Sequence, residues 1–400
     1  MKKRAVTIGW LILGGALVLR IGWVLYRWNQ QGPALEFDDE ALHWQLATNL
    51  VERGELVSDD GRYVARMPLY PLFLSLFAGL GQIGILWARL AQALLGAATV
   101  GVVYRFAHRA FGPRSAIVTG VLAACDPYSI FFCNLLLTEV SFMLIAVGLT
   151  VGAWQLLTHG GRITAIGVGL LGAAALMTRP SAAGWILLLW LIPWIAERNR
   201  RRGTLNVAVC AGVLVLLMLP WGLRNRAVVG AWAWLSANGG VTLYDAQGPQ
   251  ADGSSNQAFV HELPELAGLD EIERDRTLQR LALEQMRADP ARVAKLAWIK
   301  FRRTWNPIPN VAEYRAAATA IISAVFTGVV LLLALGGLWR AVANRRGEWY
   351  SHILIWLPVV YFTIVHCVYI GSLRYRVPLM PFLELAAGAA LMQYQRRRLR

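Results

Sequence analysis

Residues 317–339 read AATAIISAVFTGVVLLLALGGLW, with no charged side chain among them and with Arg315 and Arg340 on either side. A helix needs ~20 apolar residues to cross ~30 Å of hydrocarbon, so this stretch reads as a transmembrane helix. Working outward, the same pattern recurs at His352–Ile370 and Val377–Gln393. Toward the N-terminus it recurs at Leu205–Trp221, Ala182–Ile195, Ala165–Met177, Glu139–Leu157, Ala116–Phe132, Gly84–Phe106 and Ala5–Tyr26. The chain therefore reads as an all-α integral membrane protein with about ten transmembrane helices. Composition agrees: 56% of the 400 residues are hydrophobic and 16% are charged, where a soluble domain carries about 25% charged residues. Seventeen tryptophans fit the membrane–water interface, which holds an apolar ring and a wet N–H.

The net charge of +15 raises nucleic-acid binding, but its distribution excludes that reading. Basic residues gather at Lys2-Lys3-Arg4, Arg105/Arg109/Arg114, Arg198/Arg200/Arg201/Arg202, Arg340/Arg345/Arg346 and Arg396/Arg397/Arg398/Arg400. These tracts fall on alternate loops, the positive-inside pattern of a multi-pass protein with both termini in the cytoplasm. A bacterial plasma (inner) membrane is the expected location. The N-terminal basic tract and apolar run resemble a signal peptide, yet the run is too long and lacks a small-x-small cleavage site, so it reads as an uncleaved first helix. Cys125, Cys133, Cys210 and Cys367 lie scattered in apolar segments and read as buried small hydrophobes rather than a disulfide or metal set.

Two polar segments, 27–83 and 222–316, fall on the outer side. They hold eight acidic residues between Glu36 and Asp60 and eleven between Asp245 and Glu313, out of 24 in the chain. The expected organisation is an N-terminal transmembrane core over 1–221 that includes the first outer loop, a large outer loop over 222–316, and C-terminal membrane helices with a basic tail over 317–400. Both outer loops should carry interfacial amphipathic helices. Met67–Leu80, opened by Pro68, is one; another starts at Asp289 as N-cap with Pro290 in first position, and its Lys295, Lys300, Arg302 and Arg303 should face anionic headgroups or a lipid phosphate. No internal repeat is visible.

The chemistry should lie at this outer face. Asp38, Asp39 and Glu40 precede a helical pattern, and two readings stay open for them. Acids at a helix start satisfy free N–H groups; equally, a carboxylate just outside the membrane can serve as general base toward an acceptor hydroxyl. Arg66, Arg179, Arg224, Arg374 and Arg376 stand at outer span ends. One arginine there snorkels; five point to a shared anion, since guanidinium binds phosphate in a bidentate fork. Asp126 and Glu139 near span ends are functional candidates or partners for arginine. No HxH or HExxH pair supports metal ligation by histidine.

The ordered motifs resemble a known family. They are Asp39-Glu40…His43…Ala47, Arg66-Met67-Pro68-Leu69-Tyr70-Pro71, Leu137-Thr138-Glu139, Thr178-Arg179-Pro180, Pro220-Trp221…Arg224-Asn225, Asn238-Gly239-Gly240…Leu243-Tyr244 and Arg374-Tyr375-Arg376-Val377-Pro378…Pro381. In this order, across nearly the whole chain, they resemble the GT-C membrane glycosyltransferases that use polyprenyl-phosphate sugars, especially the branch of bacterial protein O-mannosyltransferases and the lipid A aminoarabinose transferase. Members usually have Tyr where His43 stands and often a second Pro where Met67 stands. This sequence also ends near its tenth expected span, short of the larger C-terminal outer domain of longer members, which leaves the acceptor open.

The resemblance implies a GT-C fold and an inverting transfer of a sugar from a polyprenyl-phosphate donor to a lipid, glycan or protein acceptor outside the membrane. It makes Asp39 the catalytic carboxylate, with Asp38 or Glu40 assisting. It places Arg66, Glu139, Arg179, Arg224, Asn225, Asn238, Tyr244, Arg374, Tyr375 and Arg376 around the donor phosphate and substrate. It calls for no nucleotide cofactor and no resident metal, with divalent-ion dependence open; the partners are the lipid-linked sugar, its acceptor and membrane lipids. Two other functions compete: a multi-pass transporter or flippase of lipid-linked precursors, and a non-catalytic envelope-assembly protein. A transporter would carry mid-membrane charges and broken helices, whereas the charges here sit at span ends.

Overall fold

The computed structural model describes residues 2–343 and 349–391. The predicted basic residues Arg345, Arg346, Arg396, Arg397, Arg398 and Arg400, and the end of the predicted Val377–Gln393 span, lie outside the described residues. Within them every regular element is helical. α1 (Lys2–Gln31) leads to α2 (Asp38–Arg53) and α3 (Leu69–Ala78) in the first polar segment. Then come α4 (Gln82–Ala110), α5 (Pro113–Cys125), α6 (Pro127–Phe132), α7 (Glu139–Thr158), α8 (Arg162–Thr178), α9 (Ala183–Ala196) and α10 (Arg200–Val229). The second polar segment holds α11 (Gly239–Gln247), α12 (Phe259–Glu262), α13 (Glu271–Ala288) and α14 (Pro290–Thr304); α15 (Ala317–Ala343), α16 (Trp349–Val368), α17 (Leu373–Arg376) and α18 (Met380–Ala389) complete the chain.

α1, α4, α7, α10, α15 and α16 are long and apolar enough to cross a membrane, and α5, α8 and α9 are shorter apolar helices. The chain is an integral membrane protein. Burial separates the centre of the bundle from its rim: 56% of the apolar stretch of α4 is buried, against 17% in α1 and α10. α4 packs on α1, α5 and α7; α8 pairs with α7 and α10; α18 is wedged among α5, α15 and α16. The rim helices turn Leu11, Val18, Leu216 and Leu332 outward, as helices bathed in lipid do. Small residues set the closest contacts: a Cβ at Gly337 of α15 would sit 2.0 Å from Ala386 O of α18, so only glycine lets these backbones touch.

Several expectations change. The predicted span Ala116–Phe132 is broken at Asp126, whose carboxylate accepts from Tyr128 N at 3.0 Å and Ser129 N at 3.2 Å and so caps α6. Pro127 follows it at the first helical position, and a residue before proline avoids helical backbone. The predicted last span begins with a tight turn at Val377–Leu379, and every residue of the helix Met380–Ala389 is buried, so α18 is a core helix sheathed by its neighbours. Gly222–Val229, assigned to the large outer loop, continues α10. α3 is amphipathic as expected, but its buried face (Tyr70, Pro71, Leu74, Ala78) packs on α2 and α4. α14 starts where Asp289 and Pro290 place it. Its Lys300 does not face headgroups: it is fully buried and donates to Val368 O at 2.9 Å.

Candidate active site

Five chain segments meet at one end of the bundle. The first is the start of α2, where the three adjacent acids take different surroundings because successive helical positions point about 100° apart. Asp38 is exposed. Glu40 is fully buried and does the capping: its carboxylate accepts from Glu36 N at 2.8 Å, Phe37 N at 3.2 Å and Leu136 N at 2.7 Å, tying α2 to the turn before α7. Burial raises this carboxyl above the ordinary range, against the pull of those N–H groups. The N-cap itself is Phe37. Asp39 is left free of backbone duties.

Asp39 lies between two arginines. Arg66 Nη2 meets one carboxylate oxygen at 2.6 Å and Arg374 Nη1 meets the other. Burial pushes the Asp39 carboxyl up, but the charges of Arg374 and Arg66 outweigh it and hold the group well below the ordinary carboxylate range. Arg374 also reaches back through Nε to Glu139 at the head of α7, and Glu139 pairs with Arg179 Nη2 at 2.7 Å. Arg179 Nε donates to Thr138 Oγ1 at 3.0 Å, and its guanidinium lies over Phe142. The network Arg66–Asp39–Arg374–Glu139–Arg179 thus holds three cations and two anions. Glu139 is fully buried, whereas Asp39, Arg66 and Arg374 keep 34%, 21% and 24% of their side chains exposed. The solvent-facing half has the surplus positive charge.

His43, one turn along α2 from Asp39, lines the same cluster at 3% exposure, edge-on to Tyr70, and its Nδ1 has no partner. Burial and then the Arg66 charge pull the imidazole down to about 3, so it is neutral near pH 7. The family motif includes His43 but gives it no part in the site; its i+4 spacing from Asp39 was the available signal. Tyr375 stacks on His366 with ring centroids 3.9 Å apart, beside Arg374.

Other expected site residues lie elsewhere. Arg376 stands two positions from Arg374, and such neighbours point to opposite sides of a helix; it is buried over the Tyr128 ring and donates to Asn306 O at 2.9 Å. Arg224 donates to Tyr63 O at 2.6 Å and Leu56 O at 2.5 Å. Asn225 donates to Ala233 O, Asn238 to Thr242 Oγ1 at the start of α11, and Tyr244 packs on Phe259.

These outlying residues help to hold the segments that deliver the arginines. Glu271 accepts from Tyr63 N and Val64 N, and Ala237 N donates to Val64 O, two residues before Arg66. On the other side, Lys300 and Arg303 of α14 bond Val368 O and Gly371 O on the strap that leads to Arg374. A Cβ at Gly371 would lie 2.5 Å from Lys300 Cα, so the strap lies directly on α14. Among the described residues no three of His, Cys, Asp and Glu are grouped to hold a metal ion.

The apo oligosaccharyltransferase of Archaeoglobus fulgidus superposes on this chain with a TM-score of 0.61 at 13% identity, covering 96% of this chain and 50% of that one. The fold is GT-C. The archaeal oligosaccharyltransferase AglB from Archaeoglobus fulgidus, solved with an inhibitory peptide and a dolichol-phosphate, gives a TM-score of 0.56 at 14% identity over 97% of this chain and 50% of that one. This chain spans about half the length of those structures. ArnT from Cupriavidus metallidurans, in the apo state, covers 95% of this chain and 78% of its own at 16% identity, with a TM-score of only 0.43. Residues 65–222, under half of the chain, match the sequence model of the dolichyl-phosphate-mannose-protein mannosyltransferase family. No curated protein sequence matches.

Proposed function

We propose that this chain is a membrane glycosyltransferase that moves a sugar from a polyprenyl-phosphate donor to an acceptor, with the transfer site at the outer face and both termini in the cytoplasm. The observation that carries the reading is Asp39 held between Arg66 and Arg374 at the exposed edge of a net-positive network. The GT-C fold, the mannosyltransferase family match and the dolichol-phosphate in the AglB structure support it.

The geometry gives each group a part. The donor phosphate approaches the partly exposed Arg66 and Arg374, and their guanidinium forks pass from Asp39 to its oxygens. Losing those partners restores the basicity of Asp39, which then orients the acceptor O–H and takes its proton as oxygen attacks the anomeric carbon. The C–O bond to phosphate breaks with inversion, and the lipid phosphate leaves with the electron pair. Arg66 and Arg374 stabilise its charge. Glu139 and Arg179 hold Arg374 from behind, and neutral His43 lines the floor.

The test is turnover of purified protein with a panel of polyprenyl-phosphate sugars, comparing Asp38→Asn, Asp39→Asn and Glu40→Gln at equal folded yield. Loss of a general base lowers rate ~10²–10⁴-fold, and that loss is expected at Asp39 alone. Glu40→Gln should lower folded yield, since one oxygen of the cap becomes a donor facing backbone N–H groups. Full activity in Asp39→Asn removes the carboxylate from the chemistry; no turnover by wild type on any donor leaves the non-catalytic reading standing.

A further inference from the structure

At the opposite end of the bundle, the first turns of α8 and α10 flank an open cavity of ≈ 250 Å³ lined by Arg162, Arg201, Arg202, Asn199, Asn206 and Leu205. α8 links the two ends: Arg162 opens it and Arg179 follows its last residue, 17 residues apart or roughly 25 Å along the axis. The cavity is therefore separate from the Asp39 network, and on the proposed orientation it faces the cytoplasm.

Basic residues on cytoplasmic loops are ordinary in membrane proteins, but these stand in an arrangement the protein does not complete by itself. Arg202 is seated: it donates to His159 O at 3.3 Å and lies 3.9 Å from Glu197. Arg200 is seated too, donating to Trp194 O and lying over the Trp194 ring. Arg162 and Arg201 make no ion pair with any described residue. Both occupy first turns, where the helix dipole already presents positive charge and a basic side chain is disfavoured. Three guanidinium groups thus line the cavity, and the one carboxylate paired with them, Glu197, meets Arg202 alone. Beside it, Ile163, Ile166 and Leu205 are 87%, 44% and 49% exposed and form an apolar flank.

We propose that this cavity binds the phosphate headgroup of an anionic phospholipid, with an acyl chain lying along the Ile163–Leu205 flank. Arg162 and Arg201 supply the forks to the phosphate, and the Asn206 amide serves a headgroup hydroxyl. Charge and apolar surface together fit an amphiphile; charge alone would fit any phosphate. The site holds whether or not the chain is a glycosyltransferase.

The experiment is native mass spectrometry of the full chain released from nanodiscs of phosphatidylcholine with phosphatidylglycerol, with and without inorganic phosphate. Wild type should retain phosphatidylglycerol at activation that strips phosphatidylcholine. A juxtamembrane arginine contributes ~1 kcal/mol toward an anionic lipid, so Arg162→Ala/Arg201→Ala should weaken retention roughly tenfold or more. Arg162→Lys/Arg201→Lys keeps charge, losing the forks, and should weaken it a fewfold; it also guards against misfolding of the alanine pair. Arg105→Ala/Arg109→Ala, in another basic tract, should leave retention unchanged. Equal loss in that control would show diffuse surface charge and overturn the site, as would unchanged retention in the alanine pair. Displacement of the lipid by millimolar inorganic phosphate would show a free-anion site and overturn the lipid assignment.

Discussion

At the break between α5 and α6, Arg20 and Asp126 are each 1% exposed and spend themselves on the protein. Arg20 donates to Ala123 O at 2.9 Å, Ala124 O at 3.1 Å and Ser129 Oγ at 2.7 Å, closing the end of α5, while Asp126 caps α6. At the head of α2 the same residue types are arranged differently. Asp39 meets only side chains, Arg66 and Arg374, and all three remain partly exposed. Partners drawn from the backbone cannot be exchanged without unfolding a helix end, whereas a guanidinium on a partly exposed carboxylate can pass to an incoming anion. The interior pair is architecture, and on the proposed function the network at the head of α2 is the one that yields to a ligand.

The largest effect should come from breaking the outer network at its hub. Arg374 touches both Asp39 and Glu139, and removing one preorganised donor from a developing charge lowers rate ~10²–10³-fold. Arg374→Ala should do so in a turnover assay normalised to folded protein, because the buried Glu139 keeps Arg179 but loses one partner. Arg374→Lys should recover little of the loss, because an ammonium cannot serve two carboxylates and a phosphate as a fork does. Normal turnover in both variants would place the arginine outside the site.

The interior pair should respond in the opposite currency. Arg20→Met leaves buried carbonyls at the end of α5 without donors and should destabilise the fold by about 3 kcal/mol, with turnover per folded molecule preserved. A thermal melt in detergent beside a rate normalised to folded protein separates the two. A rate collapse at full stability would make the interior pair part of the chemistry.

His43 sharpens the comparison, for it lies in the outer network yet is buried like the interior pair. The unfolded imidazole gains its proton near 6.5 and the folded one only near 3, so as pH falls the unfolded chain is protonated first. The stability His43 contributes is present above pH 6.5 and lost progressively below it. Between pH 6.5 and 5 the loss amounts to at most about 2 kcal/mol. Melting temperatures across that range should fall for wild type and flatten in His43→Phe; parallel curves would show His43 already charged. The smallest change is Asp126→Asn, a few tenths of a kcal/mol in stability, because Asn caps a helix about as well as Asp.

Much of this was legible in the sequence. Long uncharged runs marked the membrane helices, and the motif order pointed to GT-C. What sequence could not separate was decided by direction rather than identity. Asp38, Asp39 and Glu40 look equivalent in the local pattern; the bonds from Glu36 N, Phe37 N and Leu136 N show that Glu40 caps and leaves Asp39 to the arginines. Arg374 and Arg376 both stand at the right level, and just over half a helical turn between them sends them to opposite sides. Glu139 meets Arg179 and Arg374 across 40 and 235 residues of chain, pairings that no local pattern encodes. The predicted span Ala116–Phe132 runs straight through Asp126-Pro127, although an acid followed by proline is a helix-start signal even inside an apolar run.

The central claim is that Asp39 and the donor phosphate share the same two guanidinium groups, and binding tests it more directly than rate. Undecaprenyl phosphate binding to wild type and Asp39→Asn, measured by calorimetry or microscale thermophoresis, should show the variant binding several-fold more tightly, because its arginines no longer serve a competing carboxylate. The same preparation should have lost its turnover. Weaker binding by Asp39→Asn would contradict the account, since it would mean that the carboxylate helps to hold the phosphate instead of yielding the arginines to it.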